Sequence, residues 1–331
     1  GMTRQIVLAR YPAGTPQPDD FALEDATVTG LNEGELLVAV THLSMDPFPR
    51  LRMAERPVAG PAIRVGDAVD SRGIGEVVES RHPEFRAGDL VAGDTGWRDL
   101  AVLPGDKVRR VDPALGPPER HLSLLGPSGL TAYFTIERVG RPGPGETALI
   151  APAAGSVGTL AGQIAALRGS RIAGVGRGAD QCRALENGLG FAASVDSASE
   201  APDLSSVGPV HMFLDGVGGR LHDAILPHLA PRARVVLLGF ISDYGLGAPP
   251  SYGNAAPILF KRARMEGFLL ADWEAEFDAA TRQLAAWADE GRVRPVESIW
   301  EGLETAPRAF AALFGDAPPG KQIVRLERRT S

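Results

Sequence analysis

Apolar and polar positions change rhythm along the chain. In the first third, short apolar runs alternate with turns rich in Gly, Pro and Asp. Residues 36–40 (Leu-Leu-Val-Ala-Val) read as a strand, residues 73–80 alternate behind a glycine, and residues 85–92 read as a turn followed by a strand. Short strands between such turns predict a small β-rich barrel or sandwich. From residue 147 the rhythm changes. A buried-strand run at 147–151 meets a glycine turn, and Val157, Leu160, Ala161, Ile164, Ala165 and Leu167 then fall at helical spacing. Residues 171–175, 193–196, 210–215 and 234–239 read as further strands. Cys182, Leu185 and Leu189 mark a helix between the first two of these, closed by Gly190. Strands alternating with helices predict an α/β fold with a doubly wound parallel sheet of Rossmann type. The pattern then gives an amphipathic helix at 277–288, a strand at 296–300, a helix at 306–314 and a last strand at 322–326, and these last elements are expected to return to the first region.

Composition narrows the function. The 331 residues are 44% hydrophobic and 23% charged, ordinary for a globular chain. A net charge of −7 without a basic run argues against nucleic acid as a partner. No stretch of about 18 apolar residues suggests a membrane span, and no secretory pattern opens the chain, so a cytoplasmic protein is expected. The single cysteine, Cys182, excludes an intrachain disulfide and a thiolate-built zinc site. None of the six histidines pairs with cysteine or glutamate at ligand spacing, so no metal is expected. No G-x-S-x-G elbow points to serine hydrolase chemistry.

Ala153-Ala154-Gly155-Ser156-Val157-Gly158 follows a strand and opens a helix, the setting of a dinucleotide fingerprint. Gly155 would let the backbone approach a pyrophosphate held by free N–H groups at the helix N-terminus, and Gly158 would allow close helix–strand packing. Where an NAD-binding fold places an acid, at the end of the second strand, this chain has Arg177. A guanidinium there suits a ribose 2′-phosphate, so NADPH is the expected cofactor.

Further segments carry a resemblance. Residues 43–50 (L-S-M-D-P-F-P-R), 129–134 (G-L-T-A-Y-F), 153–158, 217–219 (V-G-G), 261–268 (K-R-A-R-M-E-G-F) and 320–321 (G-K) occur in this order. Together they resemble the leukotriene dehydrogenase/prostaglandin reductase family, the zinc-free alkenal double-bond reductases among the medium-chain dehydrogenase/reductases. The resemblance implies a GroES-like catalytic domain at 1–122, a Rossmann domain at 123–295 and a return to the catalytic domain at 296–331. It also implies a cleft site, a homodimer, and NADPH-dependent reduction of the C=C bond of small α,β-unsaturated aldehydes or ketones. It adds Thr131, Gly218, Gly239, Tyr244 and Phe268 to the fingerprint residues and Arg177 as cofactor contacts. Gln181 stands where the family has a 2′-phosphate lysine, Phe48 where it has a tyrosine, and Gly216 and Pro319 where it has asparagines. A zinc-free quinone reductase, or a dinucleotide-binding protein without activity, remain the alternatives.

Reducing a conjugated double bond needs a donor for the developing enolate and a proton for the α-carbon. Tyr244, after the fifth strand, is the catalytic candidate. Met45, Phe48, Trp97 and Phe240 are candidates for an apolar substrate pocket, with Tyr252 as a cover.

Overall fold

The computed structural model describes residues 1–327. Strands β1 (Met2–Leu8) and β2 (Phe21–Thr27) pair as an antiparallel ribbon that the apolar pattern does not foresee. The reason lies in β2: along Phe-Ala-Leu-Glu-Asp-Ala-Thr only Phe21 is buried. Strands β3 (Glu35–Ser44), β4 (Arg72–Ser80), β5 (Leu90–Asp94), β6 (Leu100–Pro104) and the short β7 (Arg109–Arg110) follow. Helices α1 (Pro118–Leu122) and α2 (Pro127–Phe134) lead out of this region.

The middle of the chain runs β8 (Thr147–Ala151), α3 (Gly158–Leu167), β9 (Arg171–Gly176), α4 (Gly178–Gly188), β10 (Ala193–Asp196), β11 (Val210–Asp215), α5 (Gly219–Ile225), β12 (Leu229–Leu237), α6 (Ala256–Lys261) and β13 (Arg264–Gly267). These strands form one parallel sheet in the order β10-β9-β8-β11-β12-β13. The order reverses beside β8, which opens a crevice at the carboxyl ends of β8 and β11. The sequence pattern missed β13, because this edge strand is only four residues long and no residue in it is buried. Strand β8 is buried at every position, as a strand covered on both faces must be.

Helix α7 (Phe277–Asp289) packs its apolar face on this region, through Ala280, Leu284 and Ala285. Then β14 (Glu297–Glu301), α8 (Ala306–Ala312) and β15 (Lys321–Arg325) rejoin the first region. Strand β15 pairs antiparallel with β3, giving the order β14-β15-β3-β4-β5-β7, with β6 also on β3. Residues 328–331, the end of the segment expected to return, lie outside the described residues.

Trp97 corrects an expectation. It is not a pocket residue but the centre of the barrel-side core, 2% exposed. Its ring lies 5.2 Å from Phe21 and 5.4 Å from Phe310. Phe21 comes from a strand with no apolar alternation, and the helix that carries Phe310 does not show in its sequence which core it joins, so their meeting with Trp97 was not readable.

Candidate active site in the cleft

A cleft of about 950 Å³ runs between the two sheets, lined by the β8–α3 turn, the loops after β9 to β12, residues 45–48 and residues 313–322. Ala154 to Gly158 line its wall, at the N-terminal end of α3. Gly158 is required there: a Cβ would lie 2.0 Å from the Pro152 carbonyl oxygen. At Gly155 a Cβ would meet nothing closer than 3.6 Å, so the space above this backbone is open to the cleft. A negatively charged group fits such a helix end. Ala153 lies behind the wall, fully buried, its N–H donating to the Val175 carbonyl at 2.9 Å.

Arg177 is exposed and lines the cleft together with Gln181, Ser197 and Ser199. Gln181 Oε1 accepts the Arg177 N–H at 2.9 Å, which leaves the guanidinium free of that contact. Thr131, Gly218, Gly239 and Tyr244 also line the cleft. Gly218 has φ +69°, and a Cβ there would meet Phe240 at 2.9 Å, so the turn after β11 closes only with glycine. Phe268 does not reach the cleft wall; it packs on the core behind it, its N–H held by the Leu237 carbonyl.

At the barrel side Met45, Pro47 and Phe48 line the cleft, as do Tyr244 and Leu246 of the loop after β12. The Phe240 ring packs edge-on against Tyr244 at 4.9 Å, and Tyr252 packs on His222 at 4.7 Å; neither ring lines the cleft, so both stand behind residues that do. Tyr244 is 7% exposed. Burial pushes its hydroxyl above the ordinary tyrosine range, partly offset by the Phe240 backbone amide against it.

Two side-chain pairs escaped the sequence reading. Lys321, 2% exposed, places Nζ 2.5 Å from Asp46 Oδ1, while Ser44 Oγ donates to Asp46 Oδ2 at 2.7 Å. Burial works against the Asp46 charge, but Lys321 and Ser44 outweigh it and hold the carboxyl below the ordinary carboxylate range. Both partners stood in quoted segments, yet they are far apart in sequence and only the β3–β15 pairing brings them together. The second pair is Asp215 with His222 Nδ1 at 2.5 Å, both fully buried. Asp215 Oδ1 also accepts the N–H groups of Val217 and Gly218, each at 2.9 Å, so the pair fixes the cleft-lining turn. Its signal was an acid ending a strand seven residues before a histidine, a spacing with no periodic meaning. Among the described residues no group of three or more His, Cys, Asp or Glu side chains could hold a metal ion.

Two family models match the chain: one described as the N-terminal domain of oxidoreductase over residues 4–111, and one as zinc-binding dehydrogenase over residues 156–286. The chain is 34% identical to the NADPH-dependent curcumin reductase of Escherichia coli, over 98% of this chain and 96% of that protein. It is 32% identical to prostaglandin reductase 1 of Rattus norvegicus over 96% and 97%, and 30% identical to the NADP+-dependent 2-alkenal reductase of Nicotiana tabacum over 98% of each. The crystal structure of CurA from Vibrio vulnificus in complex with NADPH matches with a TM-score of 0.88 at 30% identity, covering 98% of this chain and all of that one (100%).

Proposed function

Because the chain belongs to the zinc-free medium-chain dehydrogenase/reductase family, an NADP-dependent group of oxidoreductases, we propose that it reduces the C=C bond of α,β-unsaturated aldehydes or ketones. The observation that carries this reading is the placement of Tyr244: a largely buried side chain on the cleft wall whose hydroxyl lies over Gly239, in the cleft that Met45 and Phe48 also line.

NADPH, when bound, supplies the hydride for the β-carbon. The residues present fit it: the N-terminal end of α3 for the pyrophosphate, Arg177 for the 2′-phosphate, and Thr131, Gly218 and Gly239 along the rest of its length. Tyr244 donates to the substrate oxygen as negative charge develops there. Met45 and Phe48 hold the apolar body of the substrate and exclude water. Asp215 and His222 keep the Gly216–Gly218 turn in register beneath it. The catalytic half comprises residues 1–122 and 296–331 and the nucleotide half 123–295.

The protein works in the cytoplasm as a homodimer. The exposed edge strand β13 supports this, together with Leu259, Phe260 and Leu269 around it, 72%, 71% and 70% exposed. No described helix is long and apolar enough to cross a membrane. NADPH oxidation with a panel of enals, enones and quinones, each also tried with NADH, tests the reading. Turnover of quinones alone would move the protein to the quinone reductases.

A further inference from the structure

Hydride transfer joins two walls that come from different regions of the chain. The cofactor seat belongs to the β8–α3 turn, and the substrate wall includes residues 45–48. Their separation matters closely, because a misplacement of about 1 Å can cost about 10²-fold in rate.

Residues 318–322 span the two walls directly. Gly320 donates its N–H to the Ala154 carbonyl at 2.8 Å, and Gly155 and Gly320 form a parallel bridge. Two residues on, the Gln322 carbonyl accepts the Met45 N–H at 3.0 Å. The fingerprint turn and the substrate wall are thus tied through three consecutive residues. Gly320 has φ +84°, and a Cβ there would lie 2.1 Å from the Val296 carbonyl oxygen, so only glycine lets the chain pass this close.

The Gln322 side chain holds this segment in shape. It is 1% exposed. Its Nε2 donates to the carbonyls of Pro318 at 2.7 Å and Gly320 at 3.1 Å, and its Oε1 accepts the Trp300 Nε1–H at 2.9 Å. Both amide hydrogens are engaged, which leaves the group no donor for a substrate. Ser298 of β14 adds a second tie, its Oγ donating to the Pro319 carbonyl at 2.9 Å. Resting on the reductase reading above, we propose that Gln322 is a positioning residue: by pinning Pro318 and Gly320 it sets the distance between the cofactor seat and the substrate wall.

Gln322→Met keeps the length of the side chain and removes all three of its hydrogen bonds. The rate of hydride transfer to an enone in a single turnover, counted per bound NADPH, should fall by about 10²-fold. The Kd of NADPH should stay close to that of the unaltered protein. A merely structural role would lower the number of NADPH sites and leave the rate at each of them unchanged. Ser298→Ala should show a smaller loss in the same direction, and it carries the test if Gln322→Met does not fold. An unchanged rate per bound NADPH overturns the proposal. So does a loss of NADPH affinity as large as the loss of rate, because Gln322 would then serve the cofactor seat alone. If only quinones are reduced, the same loss on quinones keeps the positioning role and removes the enone reading. Turnover of neither by the unaltered protein overturns both.

Discussion

At the nucleotide end of the cleft the chain works mainly through its backbone; at the other end it works through side chains drawn from distant segments. The β8–α3 turn presents N–H groups and tolerates no Cβ at Gly158. The opposite wall is assembled from residues 45–48, 244–246 and 313–318, which lie outside the strands, and among them Asp46 is tied to Lys321 of β15. A backbone site is tied to the fold and so stays the same while substrates vary. A side-chain site is where one fold becomes specific. Substitutions at the first end should therefore damage binding of the cofactor or the fold itself, and those at the second should change turnover or choice of substrate.

The largest effect is expected from Gly158→Val. Its branched side chain must displace the Pro152 carbonyl, at a cost of about 4 kcal/mol or more, and the protein should lose its cooperative melt and its NADPH binding together. A variant that melts normally would show that the turn is not rigid. Asp46→Asn comes next: the buried Lys321 ammonium loses its counter-charge, and because the Asp46 side chain is itself 42% exposed the cost should be about 2–3 kcal/mol. The same pair predicts a pH dependence. The folded pKa of Asp46 lies below its unfolded value, so the stabilisation is complete above the ordinary carboxylate range, about pH 4, and is lost as pH falls through the depressed value. Thermal melts across that range should show an acid limb that shrinks in Asp46→Asn.

Tyr244→Phe keeps the ring against Phe240 and removes only the donor. Turnover should fall by about 10²–10³ with NADPH affinity nearly unchanged; a matching loss of affinity would make Tyr244 a cofactor-positioning residue instead. Arg177→Ala should weaken NADPH by about 1.5–3 kcal/mol and leave NADH unaffected, as isothermal titration with both cofactors can read. Equal losses would erase the role of Arg177 in reading the phosphate. The smallest effect is expected from a strong chelator: activity and melting temperature should not move, and stoichiometric zinc in the purified protein would contradict that.

The contrast between the two ends also explains what could be read from the sequence. The parallel sheet was legible because each buried strand must be apolar along its whole length and each turn must use glycine, constraints that act within a few residues. The barrel-side strands β3 to β5 showed through for the same reason. What stayed hidden depends on meetings across the chain. Trp97 carries the same apolar signal in a core as in a pocket, and only Phe21 and Phe310 decide between them. The Lys321–Asp46 pair needs β15 beside β3 before it exists. His222 looked like one scattered histidine among six, because its partner Asp215 lies across a strand-to-helix turn.

The pairing of β15 with β3 also sets an order on synthesis. Ile323 lies opposite Ser44, so this ladder joins two segments of which one is made long before the other. The six parallel strands all lie between Thr147 and Gly267 and need nothing beyond that stretch to pair with one another. On the ribosome they can assemble while the His42–Ser44 end of β3, beyond its pairing with β6, still waits for a partner. The barrel side closes only after Lys321–Arg325 emerges, and until then this short end of β3 offers an open edge to wrong partners.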